Sequence, residues 1–295
     1  MAKNKAWMIL TTTIKNWSND NVTRSAAALA YYTAFSLAPF LVMCIAFTSL
    51  IVGKDSAQNQ ILLQVGGIVG TQSAGQIHLM VENASKPSTS IIATIIGTGL
   101  FLFGMMGVFG QLRDGLNTIW GVREKDQPSL LKKFKSRFFS FTTIMGVAFL
   151  FLVSLVLSTI ITSWSEYMSS ALPGFEMVWI VIDFIISFII TSVLFAFLFK
   201  TLPDVLIKWK DIWTGAIVTA LLFSIGKFSL ELYLSHNDIG SLYGAAGSLI
   251  VILVWVYYSS QILFFGAEFT KVYSLANGKS IAPAKNYELT NQHKL

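Results

Sequence analysis

Residues Met177–Phe199 read MVWIVIDFIISFIITSVLFAFLF, and Asp183 is the only charge among them. A helix rising ~1.5 Å per residue covers a bilayer core of ~30 Å with ~20 residues. This stretch is long enough and apolar enough to do so. Five further runs repeat the pattern on either side: Ser25–Val52, Thr89–Phe109, Phe138–Thr162, Ile212–Leu234 and Ala246–Phe269. The expected fold is therefore all-α, a polytopic membrane protein of six transmembrane helices. The composition agrees, with 54% hydrophobic and 12% charged residues, against about 25% charged in a soluble domain. The first run is too long for the core of a signal peptide, so it is expected to stay in the mature protein.

Charge gives the runs a direction. Lys3, Lys5, Lys15 and Arg24 precede the first run. Arg113, Arg123, Lys125, Lys132, Lys133, Lys135 and Arg137 lie between the second and third. Lys200, Lys208 and Lys210 lie between the fourth and fifth, and Lys271, Lys279, Lys285 and Lys294 follow the sixth. The opposite side holds only Lys54 and Lys86, while Lys227 falls inside a run. Positive loops stay in the cytoplasm, so both termini are expected there. The net charge of +6 then records topology and attraction to anionic lipid, and no nucleic-acid partner is expected.

Three units follow. Residues 1–24 are expected to form an interfacial amphipathic arm, with Trp7, Leu10, Ile14 and Trp17 at helical spacing beside Lys3, Lys5 and Lys15. Residues 25–273 form the six-helix domain, and residues 274–295 a polar, flexible tail. The outer connection Gly53–Ser88 holds apolar faces suited to one or two short interfacial helices. The second run is rich in glycine (Gly97, Gly99, Gly104, Gly107 and Gly110), which suits close packing or a hinge. Gly240 and Gly244 have the GxxxG spacing. Cys44 stands alone in the first run and supports no disulfide.

Ionisable residues inside apolar runs are costly in lipid and mark candidate sites. On the outer side, Asp183, Lys227 and Glu231 reach similar depth on the fourth and fifth runs and are expected to cluster. On the inner side, Arg24, Arg113, Asp114, Asn117 and Glu268 sit near helix ends, and an Arg113–Glu268 pair is expected to tie the second run to the sixth. Tyr257, Gln261 and Glu268 form a polar stripe on the sixth run. On the first run, Tyr32, Ser36 and Pro39 share a stripe with Ser25, which should face protein or water. Pro39 frees the carbonyl of Phe35 and predicts a kink, with Ser36 placed to satisfy the freed groups. These residues are candidates for a substrate path or gate. His78, His236 and His293 are scattered, and the chain holds no HxxxH, CxxC or phosphate-binding loop. No catalytic residue, metal or cofactor is expected.

Four segments resemble the YihY/virulence factor BrkB family of bacterial inner-membrane proteins. They are Arg24-Ser25-Ala26-Ala27-Ala28-Leu29-Ala30-Tyr31-Tyr32 through Pro39, Leu116-Asn117-Thr118-Ile119-Trp120-Gly121, Leu202-Pro203-Asp204, and Tyr243-Gly244-Ala245-Ala246-Gly247-Ser248 continuing to Gly266-Ala267-Glu268. The resemblance spans about residues 24–273. It implies six helices in the bacterial inner membrane and carries over no agreed catalytic residues. Members have been labelled ribonuclease BN, and others are linked to serum resistance or to movement of lipid or lipopolysaccharide precursors. The leading expectation is a transporter or flippase-like protein for an amphipathic or lipid-related substrate, in contact with membrane lipids and in a monomeric or oligomeric form. The alternative is a structural, assembly or envelope-integrity protein without transport. A ribonuclease is a remote third, since RNA hydrolysis usually calls for a metal site or a positioned acid–base pair.

Overall fold

The computed structural model describes residues 2–53, 56–59, 61–63, 78, 82, 91–125, 176–236, 247–284 and 286–290. Among the described residues, six long helices carry the architecture: α1 (Ala2–Asn19), α2 (Val22–Val52), α3 (Ile91–Trp120), α4 (Glu176–Thr201), α5 (Trp209–His236) and α6 (Gly247–Ala276). Four short strands complete it: β1 (Val122–Glu124), β2 (Val205–Leu206), β3 (Ala282–Pro283) and β4 (Tyr287–Leu289). Five of the six apolar runs are thus helical. The third, Phe138–Thr162, lies outside the described residues, as does the Gly240–Gly244 loop. Among the described residues, Phe184–Thr201, Trp209–Leu230 and Leu249–Ala276 are long and apolar enough to cross a membrane.

Helix α2 packs on α3 and α6, and α5 packs on α4 and α6. Trp120, Phe199, Phe264, Leu116, Ile119 and Ile212 are fully buried. They concentrate the core where α3 and α4 end and α5 begins, the end that carries the basic loops. A smaller core joins Leu41, Cys44 and Ile45 of α2 to Val251 and Ile252 of α6. Ala57 and Ile61, from the start of the outer connection, fold over it.

Glycine sets two helix seams. A Cβ at Gly107 of α3 would lie 2.2 Å from the Tyr32 ring, and one at Gly104 3.0 Å from Ser36 Cβ. The polar stripe of α2 therefore faces a neighbouring helix. Gly99 and Gly110 face open space, so only part of the glycine run serves packing. The tighter seam is between α5 and α6. A Cβ at Gly215 would lie 1.7 Å from Thr270 Oγ1, and one at Gly266 1.9 Å from Thr219 Oγ1. The two helices run antiparallel and pair Gly215-x-x-x-Thr219 with Gly266-x-x-x-Thr270. Each threonine donates its hydroxyl to the carbonyl of the glycine four residues earlier, at 2.7 and 2.6 Å. That satisfies the hydroxyls within their own helices, and each threonine Oγ1 and Cβ lies directly against the opposite glycine, the small-residue packing that lipid-embedded helices favour. Composition hides this seam, because α5 and α6 are not glycine-rich.

Helix α2 runs through Pro39 as one element of 31 residues. Ser36 does not serve the carbonyl freed by the proline, because its hydroxyl donates to Thr33 O at 3.3 Å. Between α1 and α2, Asn21 takes a left-handed turn at φ 50°, which asparagine tolerates better than most residues. The arm is a docked helix: Ile9 and Thr13 of α1 are buried, and Asn16 and Lys5 hydrogen-bond to Glu268 and Asn277. Trp7, Leu10 and Ile14 remain exposed on its other side, with Trp7 at 69%.

The segment after α6 pairs with two loops of the bundle. Helix α6 ends at Gly278, whose φ of +72° suits glycine. Gly278 and Lys279 donate backbone N–H groups to Leu275 O and Ser274 O, a Schellman-type stop that satisfies end carbonyls and turns the chain back. The chain then adds β3 to β2, pairing Pro283 with Val205, and β4 to β1, pairing Glu288 with Arg123. Ala284 N–H also donates to Asp204 O, and Thr290 N–H to Gly121 O. Backbone pairing of this kind needs no apolar side chains, so hydropathy carries no sign of it. Residues 291–295 lie outside the described residues.

This strap yields a pair of contrasting expectations. A chain ending after Gly278 loses both strand pairs and the Lys279–Asp211 ion pair. It should unfold at a clearly lower temperature in detergent. Arg123→Ala removes only the exposed Arg123–Glu288 pair, 2.8 Å long, and should cost under about 1 kcal/mol. Thermal unfolding followed by size-exclusion chromatography separates the two.

Candidate functional site

The basic end of the bundle holds two groups of ions, one half-buried and one buried. The first forms on the last turns of α3. Residues 113 and 117 are four apart, so both side chains emerge on one face. The loop after α4 brings Asp204 to that face. Arg113 donates from Nε to Asp204 Oδ2 at 2.8 Å and from Nη2 to Oδ1 at 2.7 Å. This two-pronged fork is the strongest arginine–carboxylate arrangement. Asn117 completes it: its Nδ2 donates to Asp204 Oδ2, and its Oδ1 accepts the Asp204 backbone N–H, both at 2.8 Å. Arg113 also reaches the Tyr287 hydroxyl on β4 at 3.3 Å. The hydrogen bond to Asp204 holds the Arg113 guanidinium above its ordinary pKa. Burial pushes the Tyr287 hydroxyl up to about 12. The knot therefore stays charged on arginine and neutral on tyrosine at physiological pH, and it joins α3, the α4–α5 loop and the strap.

The second group is deeper. Glu268 of α6 is 0% exposed and Lys271, one turn on, 2%. Glu268 Oε1 accepts from Asn16 Nδ2 at 2.9 Å and lies 3.3 Å from Lys271 Nζ. Oε2 is buried without a hydrogen-bond partner. Lys271 is thus not a headgroup-facing charge, as its place among the cations after the sixth run suggested. Charges this deep need specific neighbours, because an ion leaving water costs several kcal/mol.

The predicted Arg113–Glu268 tie takes another form: the arginine forks onto Asp204, and the glutamate meets Lys271 and Asn16. Arg24 and Asp114 are exposed. On the α6 stripe, Tyr257 is exposed and Gln261 half-buried, its Oε1 enclosed without a partner. Tyr32 is half-buried against α3 and Ser36 is buried. Of the outer trio, Lys227 is exposed on α5. The side chains of Asp183, Glu231 and Pro39 lie outside the described residues. Sequence reading missed Asp204 as a partner, although it had quoted the Leu202-Pro203-Asp204 turn. It also missed Asn16, Lys271 and Tyr287. A carboxylate in a short loop between two apolar runs was the available signal for Asp204.

A family model described as Virulence factor BrkB matches residues 13–288. The chain belongs to this family. The match takes in both ion groups and most of the strap. Proteins each described as a UPF0761 membrane protein are similar along most of the BrkB-family chain. The one from Tolumonas auensis is 24% identical, covering 85% of this chain and 80% of its own length. That from Pseudoalteromonas atlantica is 26% identical, over 88% and 83%. A longer one from Delftia acidovorans is 26% identical, over 87% of this chain and 60% of its own length. No solved structure matches.

Proposed function

We propose that this BrkB-family protein moves an amphipathic or lipid-related substrate across the bacterial inner membrane. In this reading it crosses six times, with both termini and the basic loops in the cytoplasm. The distribution of Lys and Arg supports that orientation. The exposed Trp7, Leu10 and Ile14 of α1 would sit among lipid headgroups on the cytoplasmic face. The observation that carries the proposal is the Glu268–Lys271 pair, buried inside an apolar helix with one carboxylate oxygen unmatched. Intramembrane charges serve movement more readily when their bonding is incomplete, since a saturated pair has nothing left to offer a substrate or ion. Its substrate would be taken without covalent chemistry, and no cofactor is invoked.

The test is reconstitution into liposomes carrying labelled phospholipids and anionic lipid precursors. Faster exchange between leaflets than in protein-free vesicles, slowed by Glu268→Gln, is the expected result. No movement of any of these lipids would overturn it. A second reading, a structural protein of the envelope, draws support from the fully bonded Arg113–Asp204–Asn117 knot. It predicts that variants change stability and that no lipid moves.

A further inference from the structure

We propose that the Glu268 carboxyl is a proton-binding site, loaded and emptied from the basic end of the bundle. Its place as the coupling ion of transport rests on the reading above; proton binding itself does not. The geometry is asymmetric. Oε1 is held by Asn16 at 2.9 Å and by Lys271 at 3.3 Å. Oε2 is enclosed and meets no donor. An ionised carboxylate left with a bare, buried oxygen loses its hydration there and gains nothing in return. A proton on Oε2 removes the charge and leaves the Oε1 contacts in place.

The neighbouring charges oppose one another: Lys271 favours the ionised carboxylate and Asp20 the protonated one. Asp20, in the turn after α1, lies within electrostatic range of Glu268, and Lys15 of α1 is exposed. Lys271 is the near cation on α6 itself. Arg24 of α2 and Asp114 of α3 are exposed. Arg113 of α3 is forked onto Asp204, and Asp211 of α5 is paired with Lys279. A divalent metal suits the site poorly, because the ammonium occupies ligand space. Among the described residues, no three His, Cys, Asp or Glu side chains converge.

The site is also in reach of the basic-end surface. A Cβ at Gly115 would lie 2.7 Å from the Phe264 ring and 3.5 Å from Ser25, so α2, α3 and α6 meet at that level. Glu268 is one turn further toward the ends where α1 docks and α3 stops. Loading moves one proton from hydronium to Oε2, forms one O–H bond and leaves water; unloading reverses this.

Infrared difference spectra of the full-length protein in lipid nanodiscs, recorded through pH steps from about 4 to about 9, test the site across the range where carboxyl groups titrate. A protonated-carboxyl band is expected to grow on acidification and to disappear in Glu268→Gln. Asn16→Ala, which removes a donor to the ionised form, should shift the midpoint upward by about one pH unit. If Glu268→Gln does not fold, the Asn16→Ala shift decides alone. An unchanged band in Glu268→Gln, or an unmoved midpoint in Asn16→Ala, overturns the proposal. A protein that moves no lipid yet loses the band in Glu268→Gln defeats the transport reading and leaves the proton site standing.

Discussion

Replacing Gly215 with leucine should prevent the bundle from assembling, and Gly266→Leu should do the same. The first Cβ would meet Thr270 Oγ1 at 1.7 Å and Thr270 Cβ at 2.6 Å. The second would meet Thr219 Oγ1 at 1.9 Å and Thr219 Cβ at 2.8 Å. Threonine is branched at Cβ and anchored by a hydroxyl bond to its own helix, so it has no rotamer in which to retreat. The helices must separate, and the whole seam then loses its dispersion contacts. Even modest overpacking costs about 1–3 kcal/mol, and a leucine adds three more carbons to a Cβ that already collides. The control is Gly99→Ala or Gly110→Ala on α3, where nothing lies within 4 Å. Those changes should be neutral or add up to about 1 kcal/mol of stability. Yield of monodisperse protein in detergent, and its melting temperature, measure both. Normal assembly of Gly215→Leu would contradict the seam.

Asp204→Leu is expected to be the most damaging change at the basic end outside that seam. It leaves Arg113 and Asn117 without their common acceptor and strands a partly buried guanidinium. Removing one partner of a buried pair costs about 3–5 kcal/mol; with side chains 24% and 15% exposed, the lower part of that range applies. Arg113→Met combined with Asp204→Leu should recover a good share of the loss, because no charge is then left unpaired. A cycle of the two single variants and the double variant, read by denaturant unfolding, measures the coupling. Additive effects would show that the fork contributes nothing of its own.

The outcomes at these residues show which features a linear reading can reach. Arg113 and Asn117 stood out because they are polar, share a helix face and adjoin an apolar run. Their partner did not, because Asp204 sits in a turn where a carboxylate is ordinary. Glu268 was visible as a charge in the sixth run. Its neighbours were less visible: Asn16 belongs to the arm, and Lys271 was one more cation among those that follow the sixth run. Glycine misled in the other direction. The run in α3 drew attention by number, yet Gly99 and Gly110 face open space, while the decisive pair, Gly215 and Gly266, stand apart from any glycine run on separate helices.

The sequence by itself determined that the chain is helical and built for a membrane, and that its cations gather toward one end. Hydropathy, helix length and charge distribution are sums over neighbours in the chain, so they survive without coordinates. Only the tertiary structure decided that Arg113 answers Asp204, that α1 closes over Glu268, and that the tail is a strap bonded to two loops. Each of these joins residues far apart in sequence through a distance of about 3 Å. The bonds depend on direction and on what else is buried nearby, and neither can be read from composition or periodicity.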